Sequence, residues 1–131
     1  MIDHISIVVS DYEKSKAFYG LALAPLGAKM IMEYGTWCGF GRGDKPTFWI
    51  GGSRPSFWKD EKLRVAAAPA HVAFEAKSRA EVDAFHAAAV AAGATDFGKP
   101  GLRPEYHPGY YGAFVLDPDG NNVEAVIHGG G

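Results

Sequence analysis

His4–Tyr19 reads HISIVVSDYEKSKAFY and His71–His86 reads HVAFEAKSRAEVDAFH. Laid over each other without a gap, they place His4 on His71, Ala17 on Ala84 and Phe18 on Phe85. Each stretch opens with a short strand-like run and passes into a helical pattern, so the chain reads as one unit written twice. A duplicated unit implies a pseudo-two-fold fold. Two histidines at equivalent positions would then converge near the pseudo-axis, and a pair of imidazoles is half of a metal site.

Outward from the first copy, Ser10 followed by Glu13 has the spacing of a capping box, which starts a helix through Lys14, Ala17 and Phe18 that Gly20 helps to end. AKMIMEY, TWCGFG and TFWIGG, separated by Gly35 and the turn-rich RGDKP, read as three strands in hairpin order. This makes a βαβββ module over about residues 1–51. Residues 52–69 contain Pro55, Pro69 and mixed charge and read as a connector. The second module, about 70–128, repeats the order. AHVAFEA is its strand, Ser78 and Glu81 form its capping box, and Val82, Phe85, Ala89 and Ala92 give its amphipathic helix, stopped by Gly93. TDFG, YGAFVLD and NNVEAVI follow as strands, with the loop KPGLRPEYHPGY between the first two. Either half alone is marginal in size, so the expected fold is α+β. Its two tandem modules form one curved, largely antiparallel eight-stranded sheet around a cleft, with the helices outside.

With 131 residues the chain fits a single domain and has material for one core. Its 13 basic and 15 acidic residues give a net charge of -2 without long runs of either sign, which gives no footprint for nucleic acid or an anionic membrane. A small-molecule partner is expected instead. The single cysteine, Cys38, has no internal disulfide partner and reads as a small buried hydrophobe. The start MIDHISIVV lacks a basic n-region and cleavage site, so the expected location is cytoplasmic.

The last strand adds a carboxylate. Asp117, Pro118, Asp119 and Gly120 form a tight turn, and alternation beyond it puts Val123, Ala125 and Ile127 on one face and Glu124 on the other. A carboxylate enclosed by the sheet opposite two imidazoles is costly alone and favoured with a divalent cation. Two histidines and one carboxylate leave coordination positions open, as a catalytic site requires. His4, His71 and Glu124 are therefore the expected ligands of Fe, Mn, Ni or Zn.

His4, His71, the paired βαβββ units and the terminal FVLDPDGNNVEAV together resemble the vicinal oxygen chelate superfamily, which includes glyoxalase I, extradiol dioxygenases, fosfomycin-resistance thiol transferases and bleomycin-resistance proteins. The resemblance covers nearly the whole chain. It implies a U-shaped sheet, a divalent metal held by His4, His71 and Glu124 that chelates vicinal oxygens of substrate, and a homodimer. Glyoxalase I usually adds a glutamate that mirrors the terminal one; matching RGDKPTFWI to DPDGNNVEA puts Trp49 there, and an indole offers a metal no lone pair. The implied function is a metal-dependent enzyme of lyase, isomerase or thiol-transferase type that stabilises an oxyanion. The alternatives are an extradiol-type dioxygenase with ferrous iron and a metal-free binding protein of the bleomycin-resistance kind.

Further candidates come from the long loop and the aromatic residues. His107 is a candidate general acid or base and Tyr111 a candidate orienting hydroxyl, while Arg103 and Tyr110 are candidate substrate contacts. Trp49 is the aromatic residue expected to face the cleft, and Phe57 and Trp58 of the connector are candidates for an interface.

Overall fold

A computed structural model of the chain describes residues 1–52 and 69–129. Phe57 and Trp58, the expected interface residues, lie outside them. The described chain runs β1 (Ile5–Val8), α1 (Tyr12–Leu23), a 3-10 turn (Ala24–Leu26), β2 (Lys29–Tyr34), β3 (Trp37–Gly41) and β4 (Phe48–Gly51). The second copy follows as β5 (His71–Glu75), α2 (Arg79–Ala91), β6 (Thr95–Leu102), β7 (Tyr110–Leu116) and β8 (Asn122–His128). Both copies are βαβββ modules, as the repeat predicts.

Local chemistry sets the helix ends. Ser78 caps α2 by accepting the Glu81 amide at 3.1 Å, and the Glu81 carboxylate reaches back to the Lys77 amide at 2.8 Å. In α1 the cap is Asp11 rather than Ser10, with its side chain accepting the Lys14 amide at 3.1 Å. The Ser10 amide instead donates to Asp119 of the other module. The expected stop at Gly20 is overridden, because Tyr19, Ala22 and Leu23 bury on the same helix face as Tyr12 and Phe18 and carry α1 onward. Gly27, at φ +77, ends the following turn in the left-handed conformation that glycine tolerates.

Each sheet has four strands, ordered β1-β4-β3-β2 and β5-β8-β7-β6. The outer pairs β1/β4 and β5/β8 are parallel and the remaining pairs antiparallel. Among the described residues the eight strands hydrogen-bond as these two sheets, with no ladder joining them in one chain. What joins the modules is a shared core. Phe18, Tyr19, Phe40, Phe48 and Ile50 of the first and Val82, Phe85, Val115 and Val123 of the second belong to one cluster. The Phe48 and Phe74 rings meet edge to face with centroids 5.1 Å apart, and α1 packs on α2. Hydrophobic burial explains this choice, because each module presents its apolar helix-side face to the other. A polar contact crosses the same junction: the Tyr19 hydroxyl donates to the buried Asp117 carboxylate, which also accepts the Asp119 and Asn121 amides and the Asn121 side chain. Among the described residues the opposite, more open face of each sheet carries an exposed histidine, His4 in one module and His71 in the other.

Candidate metal centre

The open face of module two carries a preorganised pair. His71 heads β5 and Glu124 lies in the middle of β8, where the parallel ladder sets Glu124 beside Ala73, two residues on from His71. Strand alternation therefore places both side chains on one face. Glu124 is 2% exposed, whereas the His71 side chain is about half exposed, at 51%. His71 Nδ1 lies 3.0 Å from the Asn122 carbonyl. A carbonyl only accepts, so Nδ1 carries the proton and the Nε2 lone pair is left for another partner. That Nε2 lies 3.2 Å from Glu124 Oε2. Two acceptors this close need a cation, either a proton or a metal. Two cis ligands of a first-row metal at about 2.1 Å stand roughly 3.0–3.4 Å apart, so the observed separation fits a shared ion. The other carboxylate oxygen, Oε1, accepts a hydrogen bond from the Tyr110 hydroxyl. Burial, and then the bond to Glu124, push the Tyr110 phenol well above its ordinary range, so it stays a donor at physiological pH.

Module one repeats half of this arrangement. His4 Nδ1 lies 2.7 Å from Asp3 Oδ1, which leaves Nε2 free, in the way that carboxylates orient metal-binding imidazoles. Asp3 also pairs with Lys45; this ion pair first, and the His4 contact second, hold its carboxyl below the usual range. The position mirroring Glu124 can be read from the register: Ser6 pairs with Trp49 in β1/β4 as Ala73 pairs with Glu124 in β5/β8. The sequence match that put Trp49 there is therefore the structural match too.

Among the described residues the three expected ligands, His4, His71 and Glu124, do not gather at one point. Among the described residues no group of three or more His, Cys, Asp or Glu gathers closely enough to hold a metal. His4 and the His71–Glu124 pair lie on different sheets, each on the face turned away from the shared core.

The remaining candidates divide between the two sides of the module-two sheet. The Arg103 guanidinium lies 5.5 Å from the Phe114 ring centroid and donates to the Lys99 carbonyl at 2.7 Å. Phe114 in turn stacks with the His71 imidazole at 6.3 Å and pairs across the ladder with Glu124, so Arg103 and Tyr110 border the His71–Glu124 face. Tyr111 does not. Its hydroxyl donates to Asp83 of α2 at 2.7 Å and its ring lies under Arg79, which places it on the helix side. His107 packs on the Tyr110 ring at 5.4 Å, and its Nε2 lies 2.9 Å from His128 Nδ1. Its own Nδ1 donates to the Pro108 carbonyl at 2.8 Å, so Nε2 accepts from His128. His128 is the residue that the sequence reading passed over. Alternation from Glu124 puts it on the same face four residues on, opposite Tyr110 in the ladder.

The chain matches the model of the Glyoxalase/Bleomycin resistance protein/Dioxygenase superfamily over residues 1–125. It is 33% identical over 130 residues to the uncharacterised protein YqjT of Bacillus subtilis (strain 168), covering 94% of this chain and 95% of that protein. A glyoxalase/bleomycin resistance protein from Albidiferax ferrireducens T118 superposes with a TM-score of 0.72 at 31% identity, over 94% of each chain. A glyoxalase/bleomycin resistance protein/dioxygenase family enzyme from Burkholderia phytofirmans PsJN shares the fold, with a TM-score of 0.74 at 21% identity over 97% of this chain and 98% of that one. The protein belongs to the glyoxalase/bleomycin resistance/dioxygenase superfamily, the vicinal oxygen chelate family of the sequence reading. No helix among the described residues is long and apolar enough to cross a membrane.

Proposed function

We propose that the protein is a metal-dependent enzyme of the lyase, isomerase or thiol-transferase type that binds a small substrate through two adjacent oxygens. Its ligands are His4, His71 and Glu124, and its site forms where module one of one copy faces module two of a second in a homodimer. The observation that carries the reading is the unshared contact between His71 Nε2 and Glu124 Oε2, 3.2 Å apart with the other atom of each group already bonded. When bound, a divalent cation supplies Lewis-acid stabilisation of negative charge developing on a substrate oxygen.

The protein's own groups then have separable duties. Asn122 and Asp3 fix the two imidazoles with Nε2 outward. Tyr110 holds Glu124 Oε1, so that the carboxylate would keep its second oxygen available to help hold a metal, and His107 with His128 buttresses the Tyr110 ring. Arg103, held over Phe114 by the Lys99 carbonyl, borders the face where substrate oxygens would lie. This makes His107 a positioning residue and leaves Tyr111 to fasten the sheet to α2. The test is elemental analysis of protein purified without chelator beside Glu124→Ala. About one first-row metal per chain, lost in the variant, is expected. Equal metal in both proteins, or none in either after addition of iron, manganese, nickel and zinc, overturns the reading.

A further inference from the structure

The far end of the module-two sheet holds a second pair of imidazoles, one from a loop and one from a strand. His107 lies in the turn that leads into β7, where the Tyr110 amide donates to the His107 carbonyl at 3.2 Å, and His128 ends β8 opposite Tyr110 in the ladder. Gly109 and Gly129 fix where the two meet. The Gly129 amide donates to the Gly109 carbonyl at 3.0 Å, and both glycines are left-handed, at φ +87° and +80°. A Cβ at Gly109 would stand 3.1 Å from the Gly129 Cα, so the loop crosses the strand end at a separation that a side chain there would disturb. The crossing sets His107 Nε2 2.9 Å from His128 Nδ1, with the ring planes 26° apart.

Two neutral imidazoles so placed are a bidentate ligand. His107 Nδ1 donates to the Pro108 carbonyl at 2.8 Å, so Nε2 keeps its lone pair, the orientation that a carbonyl imposes on a metal-binding imidazole. His128 is exposed, and among the described residues only its Nδ1 is hydrogen-bonded. Moving that proton to Nε2 is a change of tautomer without a change of charge, and it frees a second lone pair beside the first. Two nitrogens 2.9 Å apart, each about 2.0–2.1 Å from one ion, subtend an angle of about 90° at it. That is the cis angle of tetragonal copper(II), and it is narrower than the tetrahedral angle of zinc. His128 is four residues beyond Glu124 on β8, roughly 13 Å along the strand, so an ion held here is separate from one held at His71.

From this geometry we propose that His107 and His128 form a second metal site, which takes copper(II) through His107 Nε2 and His128 Nδ1 with water in the remaining positions. Two protein ligands at the surface make it an exchangeable site, filled by added copper and emptied by desalting. Its occupant clamps the two rings that flank Tyr110, whose centroids lie 5.4 and 5.1 Å from the phenol ring. The site is independent of whether His4, His71 and Glu124 hold a metal.

Tag-free protein stripped with chelator and desalted is titrated with copper(II) and, separately, with zinc(II), following equilibrium dialysis and electron paramagnetic resonance. The chain used is Glu124→Ala, alone and combined with His107→Gln or His128→Gln, so that the first site does not contribute. Glu124→Ala should bind copper with nitrogen splitting from two imidazoles, and zinc about tenfold more weakly. Each histidine substitution should weaken copper about tenfold or more and leave splitting from a single imidazole. In the nuclear magnetic resonance spectrum of the Glu124→Ala chain, copper should broaden the Tyr110 and Gly129 signals first. Copper affinity and splitting indifferent to both histidine substitutions, or broadening centred elsewhere, overturns the site. Copper that binds the native chain and is lost in Glu124→Ala belongs to the first centre and also overturns it, whereas copper retained in Glu124→Ala and lost with either histidine supports it whatever becomes of the first centre.

Discussion

The two modules share a scaffold and differ in what they place on its open face. Module two puts a buried carboxylate, an oriented imidazole and a phenol on that face, and module one puts an oriented imidazole and two flat indoles there. Their helix-side faces stay alike: Phe18 and Phe85, equivalent in the repeat, are both buried in the common core. Duplication therefore preserved the packing face and let the other diverge, one half carrying a buried carboxylate there and the other two indoles. Under the proposed function, neither half completes a site alone.

Truncating the equivalent core rings tests the shared part and carries the largest expected effect. Phe18→Ala and Phe85→Ala should each cost about 3–5 kcal/mol in chemical denaturation, in one cooperative transition. Two transitions, or a variant that unfolds only its own half, would break the idea of a common core. Next is Tyr110→Phe, which removes the donor on Glu124 and has no counterpart in module one. Metal affinity should fall about 10–100-fold by competition with a chelator, with the fold retained.

Tyr19 and His86 occupy equivalent helix positions and have diverged. Tyr19 reaches across the junction to Asp117, whereas His86 contacts Asp96 within its own module at 2.9 Å. Tyr19→Phe should cost about 1 kcal/mol, since Asp117 keeps three other donors. The smallest effect concerns Asp96. Its carboxyl is held below the ordinary range by the His86 contact first and the Gly98 amide second. The stability it contributes is therefore present above pH about 4 and is lost as pH falls through the lower native value. Asp96→Asn should lower the melting temperature slightly at neutral pH, flatten the acid limb of the thermal-melting profile, and make no difference below the native value.

Much of the architecture was legible because the repeat is ungapped where it matters. His4/His71 and Phe18/Phe85 set the offset, and alternation beyond the terminal turn set Glu124 on the face that carries His71. The matching of Trp49 to Glu124 also held, since strand pairing transmits a sequence offset directly into register. What the sequence concealed depends on packing between elements. Gly20 lies inside α1 because burial of Ala22 and Leu23 outweighs glycine's helix cost. Tyr111 turned to the helix side because adjacent residues on a strand face opposite ways, and the alternation of β7 follows its pairing to β8 rather than its loop. The hairpin-order reading of each half said nothing about which face the halves would share, a matter decided by apolar area rather than by any motif.

The most direct test of the central claim mixes two inactive chains. His4→Ala and Glu124→Ala protomers, differently tagged and refolded together, give a mixed dimer in which one of the two sites has module one from the Glu124→Ala chain and module two from the His4→Ala chain, with every ligand intact. The account predicts about one metal per purified mixed dimer and almost none in either parental dimer. A mixed dimer as empty as its parents, beside native protein holding about one metal per chain, would mean that the ligands meet within one chain and would contradict the account.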